Sequence, residues 1–422
     1  MAQPTFSTHV GMVDILPDEV RKWHKLEQII HQEAKKFHFE EIRTPIMEQT
    51  ELIARGVGEG TDIVSKEMFA FERGEDQYVL RPECTAPVAR AFVEHHLEQR
   101  GGTQNLYYIG PMFRAEKPQK GRQRQFHQFG AEIIGADDPA ADVDIIAFMM
   151  AIYDRVGISN TTLKINSVGE PESRKEYIEA LKDYFRPHLD KLSSISQKRF
   201  ENNPLRILDS KEEEDQSFIE DAPVITDFLT EETAEHYQRV KELLTELDIS
   251  FEEDPHLVRG LDYYTRTAFE LISPDLGSQD ALGGGGRYDL LIEEIGGQHT
   301  PAVGFAAGME RLFIACQELD INLVEEEMLD VYIVTLGEEA RKWGLEHLPK
   351  LRAAGLSASM DYIGRSIKSQ MKDADRENAR HVIIVGGNEL AEGKFTLRNM
   401  KASEEDSYTF DKILDKLTTD IN

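Results

Sequence analysis

The sequence predicts a mixed α/β protein of more than one domain, on three observations. Helical and strand periodicities alternate along the chain. Its 422 residues exceed what one ordinary core encloses. One segment, 171–255, differs from its surroundings, with 23 acidic residues against 11 basic ones. Hydrophobic residues make up 40% and charged residues 30%, a balance that suits packed cores and excludes a disordered polymer.

The elements follow in order. From Asp18 to Phe37, residues Val20, Trp23, Leu26, Ile30, Ala34 and Phe37 recur at helical spacing, which predicts an amphipathic helix. Tyr78 to Leu80 reads as a short strand entering Arg81-Pro82-Glu83. Leu106 to Arg114 and Gln125 to Ile134 are β-rich, and the polar, basic stretch between them makes an antiparallel pair with a long loop. Asp142 to Val156 is a helix. Residues 171–255 are helical and read as an insertion between two parts of one domain, 1–170 and 256–325. β-rich sequence resumes at Leu261 to Ile272, a glycine run follows at Gly283 to Gly286, and Val303 to Leu319 reads as a glycine-containing helix. Glu325-Glu326-Glu327 marks a boundary. Beyond it, strands at Val331–Leu336, His381–Val385 and Phe395–Arg398 alternate with a helix reaching Ala354 and another over Ser366–Arg380, an α/β domain over 330–422.

Composition excludes several classes. Two cysteines, Cys84 and Cys316, rule out a disulfide scaffold or a cysteine zinc site and point to a reducing compartment. The longest apolar run, Ile145 to Tyr153, is too short to span a bilayer. Met1 to Val10 lacks the basic cluster and apolar run of a secretory signal, so the cytoplasm is the expected location. A net charge of −30, taken alone, argues against a nucleic-acid partner. The charge is uneven, however. Between Met112 and Gln125, Arg114, Lys117, Lys120, Arg122 and Arg124 face a single acid, Glu116.

Three constellations carry chemistry. On the Gln125–Ile134 strand, Gln128 and Glu132 share one face, Gly130 between them leaves space for a ligand, and Arg114 ends the adjoining strand. A partly solvated sheet face has the same pattern. Leu257-Val258-Arg259-Gly260-Leu261-Asp262-Tyr263-Tyr264 puts a cation and two phenols at a strand entrance, which ordinary packing also explains. Gly283 to Gly286, before Arg287-Tyr288-Asp289, suits a ligand touching the main chain or a flexible loop. It is neither a Walker loop nor a dinucleotide fingerprint.

Together these segments resemble the histidyl-tRNA synthetases, of the class II aminoacyl-tRNA synthetases, over nearly the whole chain. Phe113 to Glu116 with Arg122 to Gln128 resembles motif 2; Leu257 to Tyr264 and Gly283 to Asp289 resemble the two histidine-specific signatures; Ala302 to Leu312 resembles motif 3; and Thr44-Pro45 with the preceding helix resembles motif 1, the dimer element. Gly11-Met12-Val13-Asp14 departs from the family's usual Gly-Thr-Gln-Asp, and Cys84 stands where glycine is more usual.

The resemblance implies an α+β catalytic domain on an antiparallel sheet flanked by helices, with a helical insertion and a C-terminal α/β anticodon-binding domain. It implies formation of histidyl-adenylate and pyrophosphate from L-histidine and ATP with Mg²⁺, then transfer to the 3′ end of tRNA(His) by a homodimer. It assigns Arg259 and Arg114 to catalysis, and Arg114, Arg122 and Arg311 to ATP. Glu83, Thr85, Gln128, Glu132, Tyr263, Tyr264 and Tyr288 fall to histidine. The loop from Lys117 to Arg124 would close over ATP and meet the tRNA end, and a stripe of Arg365, Lys368, Lys372 and Arg376 suits RNA, or equally a solvated helix face. The regulatory subunit of ATP phosphoribosyltransferase shares the catalytic fold; Arg259, the glycine run and the C-terminal domain separate this chain from it.

Overall fold

Pro17 in the first turn, Asp18 and Glu19 beside it, and Lys35-Lys36 in the last turn set the ends of the first helix, Pro17–Lys36. Its inner face buries Trp23, Leu26, Ile29, Ile30 and Ala34. The computed structural model describes residues 5–58, 61, 63–324 and 328–419; Glu325 to Glu327 and Met1 to Pro4 lie outside the described residues. Chain contacts divide it into two units, Met1–Val324 and Glu325–Asn422.

The first unit is built on an eight-stranded sheet. Its strands lie in the order Glu40–Glu41, Gln104–Phe113, Gln125–Ile134, Ala302–Gly308, Ala281–Arg287, Thr265–Ile272, Thr162–Ser167 and Phe251–Glu253. All interior pairings are antiparallel, and the two edge strands add in parallel. Alternation along Gln125–Ile134 separates two faces. Phe129, Ala131 and Ile133 enter a core with helices Pro17–Lys36, Pro139–Val156, Glu231–Glu246 and Met309–Glu318. Phe126 and Ile134 face the opposite way, toward Tyr108, Tyr263, Tyr264, Tyr288 and helix Thr85–Glu94.

Two expectations change here. Val303 to Gly308 is a strand, and the helix begins only at Met309. The segment pairs on both sides, with Gln125–Ile134 and Ala281–Arg287, and this double ladder overrides local helix propensity. The glycine run is likewise neither loop nor turn but a central strand paired with Ala302–Gly308 and Thr265–Ile272. A three-stranded sheet of Met47–Gln49, Asp76–Leu80 and Phe69–Arg73 lies beside this framework; only its Tyr78–Leu80 portion was predicted.

Within 171–255, helices Pro171–Phe185, Ser194–Asn202 and Glu213–Ile219 surround a core of their own with Tyr177, Leu181, Phe185, Phe200 and Ile207. The buried Asp215 carboxylate fastens it, accepting from Ser193 N at 2.7 Å, Ser193 Oγ at 2.8 Å and Ser196 Oγ at 2.6 Å. Helix Glu231–Glu246 instead turns Tyr237, Val240 and Leu244 into the main core.

The second unit is a five-stranded sheet in the order Ala358–Met360, Leu329–Thr335, Ala379–Val385, Phe395–Asn399 and Glu404–Tyr408, parallel among the first three and antiparallel thereafter. Apolar clusters cover both faces of it. The helix predicted over Ser366–Arg380 stops at Arg376, because Asn378 takes a left-handed φ of 51° and the chain enters the Ala379–Val385 strand.

One buried ion cluster ties the first unit together. Arg287, fully buried, donates from Nε to Asp142 Oδ2 at 3.2 Å, from Nη1 to Ala136 O at 2.7 Å and from Nη1 to Asp289 Oδ1 at 3.2 Å, and its Nη2 also meets Asp142. Burial alone would raise the Asp142 carboxyl, but the Arg287 guanidinium outweighs it and holds Asp142 at about 2. Asp142→Asn, which leaves the buried Arg287 with Asp289 as its remaining carboxylate, is expected to destabilise the protein by about 3 kcal/mol at pH 7, the low end for breaking a buried pair. A depressed carboxyl contributes its stability above its unfolded value and loses it as acid approaches the folded one. Calorimetric unfolding of wild type and variant should therefore converge between pH 4 and pH 2.

Candidate active site

The inner face of the sheet opposite the helical core holds a carboxyl pocket. Glu132, at 0% exposure, sits mid-strand, across from Leu106 on one side and Gly304 on the other. Thr85 Oγ1 donates to Glu132 Oε1 at 2.8 Å and the Tyr288 hydroxyl donates to Oε2 at 2.6 Å. A Cβ at residue 304 would overlap Glu132 Oε2, so the neighbouring strand must present glycine there. Burial pushes the Glu132 carboxyl up to about 8 against the pull of both donors.

Thr85 owes its place to the start of helix Thr85–Glu94. The buried Glu83 carboxylate accepts from Thr85 N at 2.7 Å and Ala86 N at 3.0 Å, satisfying free donors of the first turn. Arg81 anchors the approach by donating to Pro111 O at 3.0 Å and Thr44 O at 2.9 Å. Cys84 is packed beneath, and burial raises its thiol to about 12, which keeps it inert. Tyr263 and Tyr264 pack with their rings tilted at 47° and centroids 4.6 Å apart, and Tyr288 meets Tyr263 edge-on at 5.6 Å, an aromatic wall beside the carboxyls.

Gln128 lies on the same strand face, and its buried Oε1 has no hydrogen-bond partner among the described residues. An unpartnered buried acceptor on the strand face that carries Glu132 fits a ligand with N–H groups. The expected space at Gly130 is filled: a Cβ there would collide with the Tyr108 hydroxyl and Phe305 O. Tyr108, directly across from Gly130, was not singled out in the sequence; its buried hydroxyl is also unpartnered among the described residues.

Four guanidinium groups lie on the other side of the pocket. Arg114 donates from Nε to Pro82 O at 3.0 Å and lies 5.2 Å over the Phe126 ring. Arg259 donates to Glu270 Oε1 at 2.9 Å and lies 5.8 Å over Tyr264. The glycine run makes room for it, since a Cβ on Gly284 would stand 2.7 Å from Arg259 Nη1. Arg311 donates to Ala281 O at 2.9 Å, and burial and then the nearby Arg122 lower its guanidinium. Arg122 and Arg311 are thus close enough to repel each other, and Glu116 lies within reach of both. Glu270, the carboxylate paired with Arg259, was missed, because nothing local marks a strand glutamate as facing a residue eleven positions earlier.

The basic loop is fixed at its base, where the Gly11 carbonyl accepts from Arg124 N at 2.8 Å and Gln125 N at 3.2 Å. Lys120 pairs with Glu318 at 2.7 Å and Arg122 with Glu116 at 3.5 Å. In the second unit, the expected basic stripe is half neutralised. Arg365 bonds Asp361 at 2.6 Å and also meets Asp373, and Arg376 pairs with Asp373 at 2.8 Å, which leaves Lys368 and Lys372, both exposed, as the two of the four without an ion pair among the described residues.

A sheet with a recessed pocket of carboxyls, phenols and guanidiniums defines the class first. The chain superposes on apo S. aureus histidyl-tRNA synthetase with a TM-score of 0.82 and 40% identity, covering 98% of this chain and 100% of that one, which is the class II synthetase fold. The family profile for Histidyl-tRNA synthetase matches residues 11–312, and that for Anticodon binding domain matches 330–420. Histidine–tRNA ligases of Natranaerobius thermophilus and Chloroherpeton thalassium are each 47% identical, over 94% and 98% of both chains respectively. The chain belongs to the histidyl-tRNA synthetase family.

The pocket has a measurable cost. A carboxyl raised from 4.5 to about 8 binds more proton folded than unfolded between those values, so its contribution to stability falls as pH rises through that window. Glu132→Gln is expected to gain thermal stability relative to wild type from pH 5 to pH 8 and to hold a constant difference above it. A melting series across pH checks this.

Proposed function

We propose that this chain is a histidine–tRNA ligase. It joins L-histidine to ATP, forming histidyl-adenylate and pyrophosphate, and then transfers the histidyl group to the 3′ end of tRNA(His). The observation that carries this reading is the unbroken run of contacts from Thr85 and Glu132 through Tyr288, Tyr263 and Tyr264 to the Arg259 guanidinium.

In the first step a histidine carboxylate oxygen bonds the α-phosphorus as the bond to the pyrophosphate oxygen breaks. Both reactants are anionic, so fixed cations must offset their repulsion. Arg259 would face the α-phosphate, and its planar fork suits the expanding phosphorus. Arg114, Arg122 and Arg311 would hold the remaining phosphates and the adenine. Mg²⁺ would enter as the ATP complex; among the described residues no group of three or more His, Cys, Asp or Glu is gathered to hold a metal. In the second step the terminal ribose hydroxyl attacks the histidyl carbonyl and AMP leaves.

Glu83, Thr85 and the unpartnered Gln128 oxygen suit the substrate ammonium. Glu132 and Tyr264 suit the two imidazole nitrogens, with Tyr263 and Tyr288 as walls. An amino acid without both nitrogens would leave buried polar groups unpaired, which gives strong discrimination by binding alone.

The domain reading places catalysis in 1–170 and 256–325, a helical insertion in 171–255, and anticodon recognition in 330–422. The separate core of 171–230 supports the insertion, and the anticodon-domain match supports the last assignment. Motif 1 and the exposed Phe6, Val10, Met47 and Phe71 favour a homodimer. The cytoplasm is the proposed location; among the described residues no helix is long and apolar enough to cross a membrane.

ATP–pyrophosphate exchange over a panel of amino acids tests the activity: histidine alone should support it. Glu132→Ala should raise the histidine KM about 10- to 100-fold, the cost of leaving a buried imidazole nitrogen unpaired, with the ATP KM little changed. Equal shifts in both constants would place Glu132 elsewhere. A chain ending before Asp330 should keep exchange activity and lose tRNA charging; full charging by that chain would overturn the domain reading.

A further inference from the structure

Between Phe251–Glu253 and Thr265–Ile272 the chain runs without regular strand pairing, although Leu257, Tyr263 and Tyr264 are buried. A buried irregular segment must find partners for its carbonyls outside a ladder. Side chains supply them here. Asn166 Nδ2 donates to Leu257 O at 3.0 Å, Arg174 donates to Asp262 O at 3.2 Å and to Tyr264 O, and Arg206 Nη2 donates to Gly260 O at 3.1 Å.

These braces differ in origin. Asn166 is part of the main sheet, and Arg174 also bonds Val168 O and Gly169 O beside it. Arg206, like Arg174, comes from the segment that has its own core. Arg199 Nη1 fixes it by donating to Arg206 O at 2.8 Å, and the Asp209 carboxylate lies 3.8 Å from its guanidinium. Gly260 directly follows Arg259, so a fixed Gly260 carbonyl fixes the backbone from which the Arg259 side chain departs. Arg206 and Arg259 both line one cavity of about 40 Å³, together with Asn203 and Tyr264.

We propose that Arg206 is a positioning residue for histidine activation: by holding the Gly260 carbonyl it sets the Arg259 guanidinium, and so makes the 171–230 segment a working part of the phosphate site. The inference rests on the reading of Arg259 as the α-phosphate group.

The test is a kinetic cycle on the full-length protein, read by histidine-dependent ATP–pyrophosphate exchange. Arg206→Met keeps the stem and removes the donors. It should lower kcat about tenfold, the scale of one aligned hydrogen bond, and move the histidine KM less than about twofold. Arg206→Lys, still able to donate to Gly260 O, should restore most of the rate. In an Arg259→Ala background, Arg206→Met should change nothing further, because its effect passes through the missing side chain. An unchanged kcat in Arg206→Met, or the same fractional loss in both backgrounds, would overturn the proposal while leaving the role of Arg259 intact. An Arg259→Ala protein with undiminished exchange would overturn the α-phosphate reading and this inference with it. Arg206→Gln, too short to reach Gly260 O, takes the place of Arg206→Met under the same outcomes if the latter does not fold.

Discussion

A carboxyl group at zero exposure in the middle of a sheet is expensive unless donors or a proton compensate it, and Glu132 stands in that position. Much of the first unit's inner face can be traced to this one constraint. The next strand must lack a side chain at Gly304. A hydroxyl must arrive from Thr85, which in turn requires a helix to start there, and Glu83 caps that start. A phenol must arrive from Tyr288, which follows the buried Arg287–Asp142 cluster directly in the chain. The recognition pocket and the stability of the sheet are therefore parts of one packing solution, and the aromatic wall that excludes water also keeps the carboxyl poorly solvated.

The phosphate side follows the opposite logic. It concentrates guanidinium groups in a chain whose net charge is −30. Net charge governs solubility and long-range steering, whereas local potential in a recess is set by the few groups that line it. Each arginine here is held by a main-chain or carboxylate acceptor: Pro82 O, Glu270 or Ala281 O. Single anchors of this kind fix direction while leaving donors available for an anionic ligand. The acid excess is spread over the chain, 12 of its 30 charges falling in 171–255, so the overall figure says little about these few groups.

Much of this was legible in the sequence, where local pattern was sufficient. The period of two placed Gln128 and Glu132 on one face, and the basic stretch between two β-rich runs gave the hairpin, its second strand correct to the residue and its first, expected over Leu106–Arg114, running Gln104–Phe113. Reading failed where a partner far along the chain decides. Val303 to Gly308 is a strand because of ladders on both sides, and the glycine run is a strand because Arg259 and adjoining backbones occupy the space its side chains would need. Tyr108 filling the gap at Gly130, and Glu270 meeting Arg259, depend on cross-strand register that composition does not encode. The motifs identified the pocket's residues, but not the means by which they are held.

The Gly11 carbonyl, which accepts from Arg124 and Gln125 at the base of the basic loop, shows how such holding can outlast sequence drift. The bond is made by a main-chain oxygen, which every residue type supplies. Met12 and Val13, where the chain departs from the family's usual residues, can therefore vary without altering the latch, Val13 being largely exposed at 58%. What the latch needs is the backbone course set by Gly11 at φ 84°, close against Pro118 and Arg124. A side chain at position 11 would meet Pro118 and Arg124, whereas a change of side chain at Met12 or Val13 leaves the donor and acceptor atoms of the latch in place: the contact is written in main-chain atoms, and the geometry of the loop it closes depends on the backbone alone.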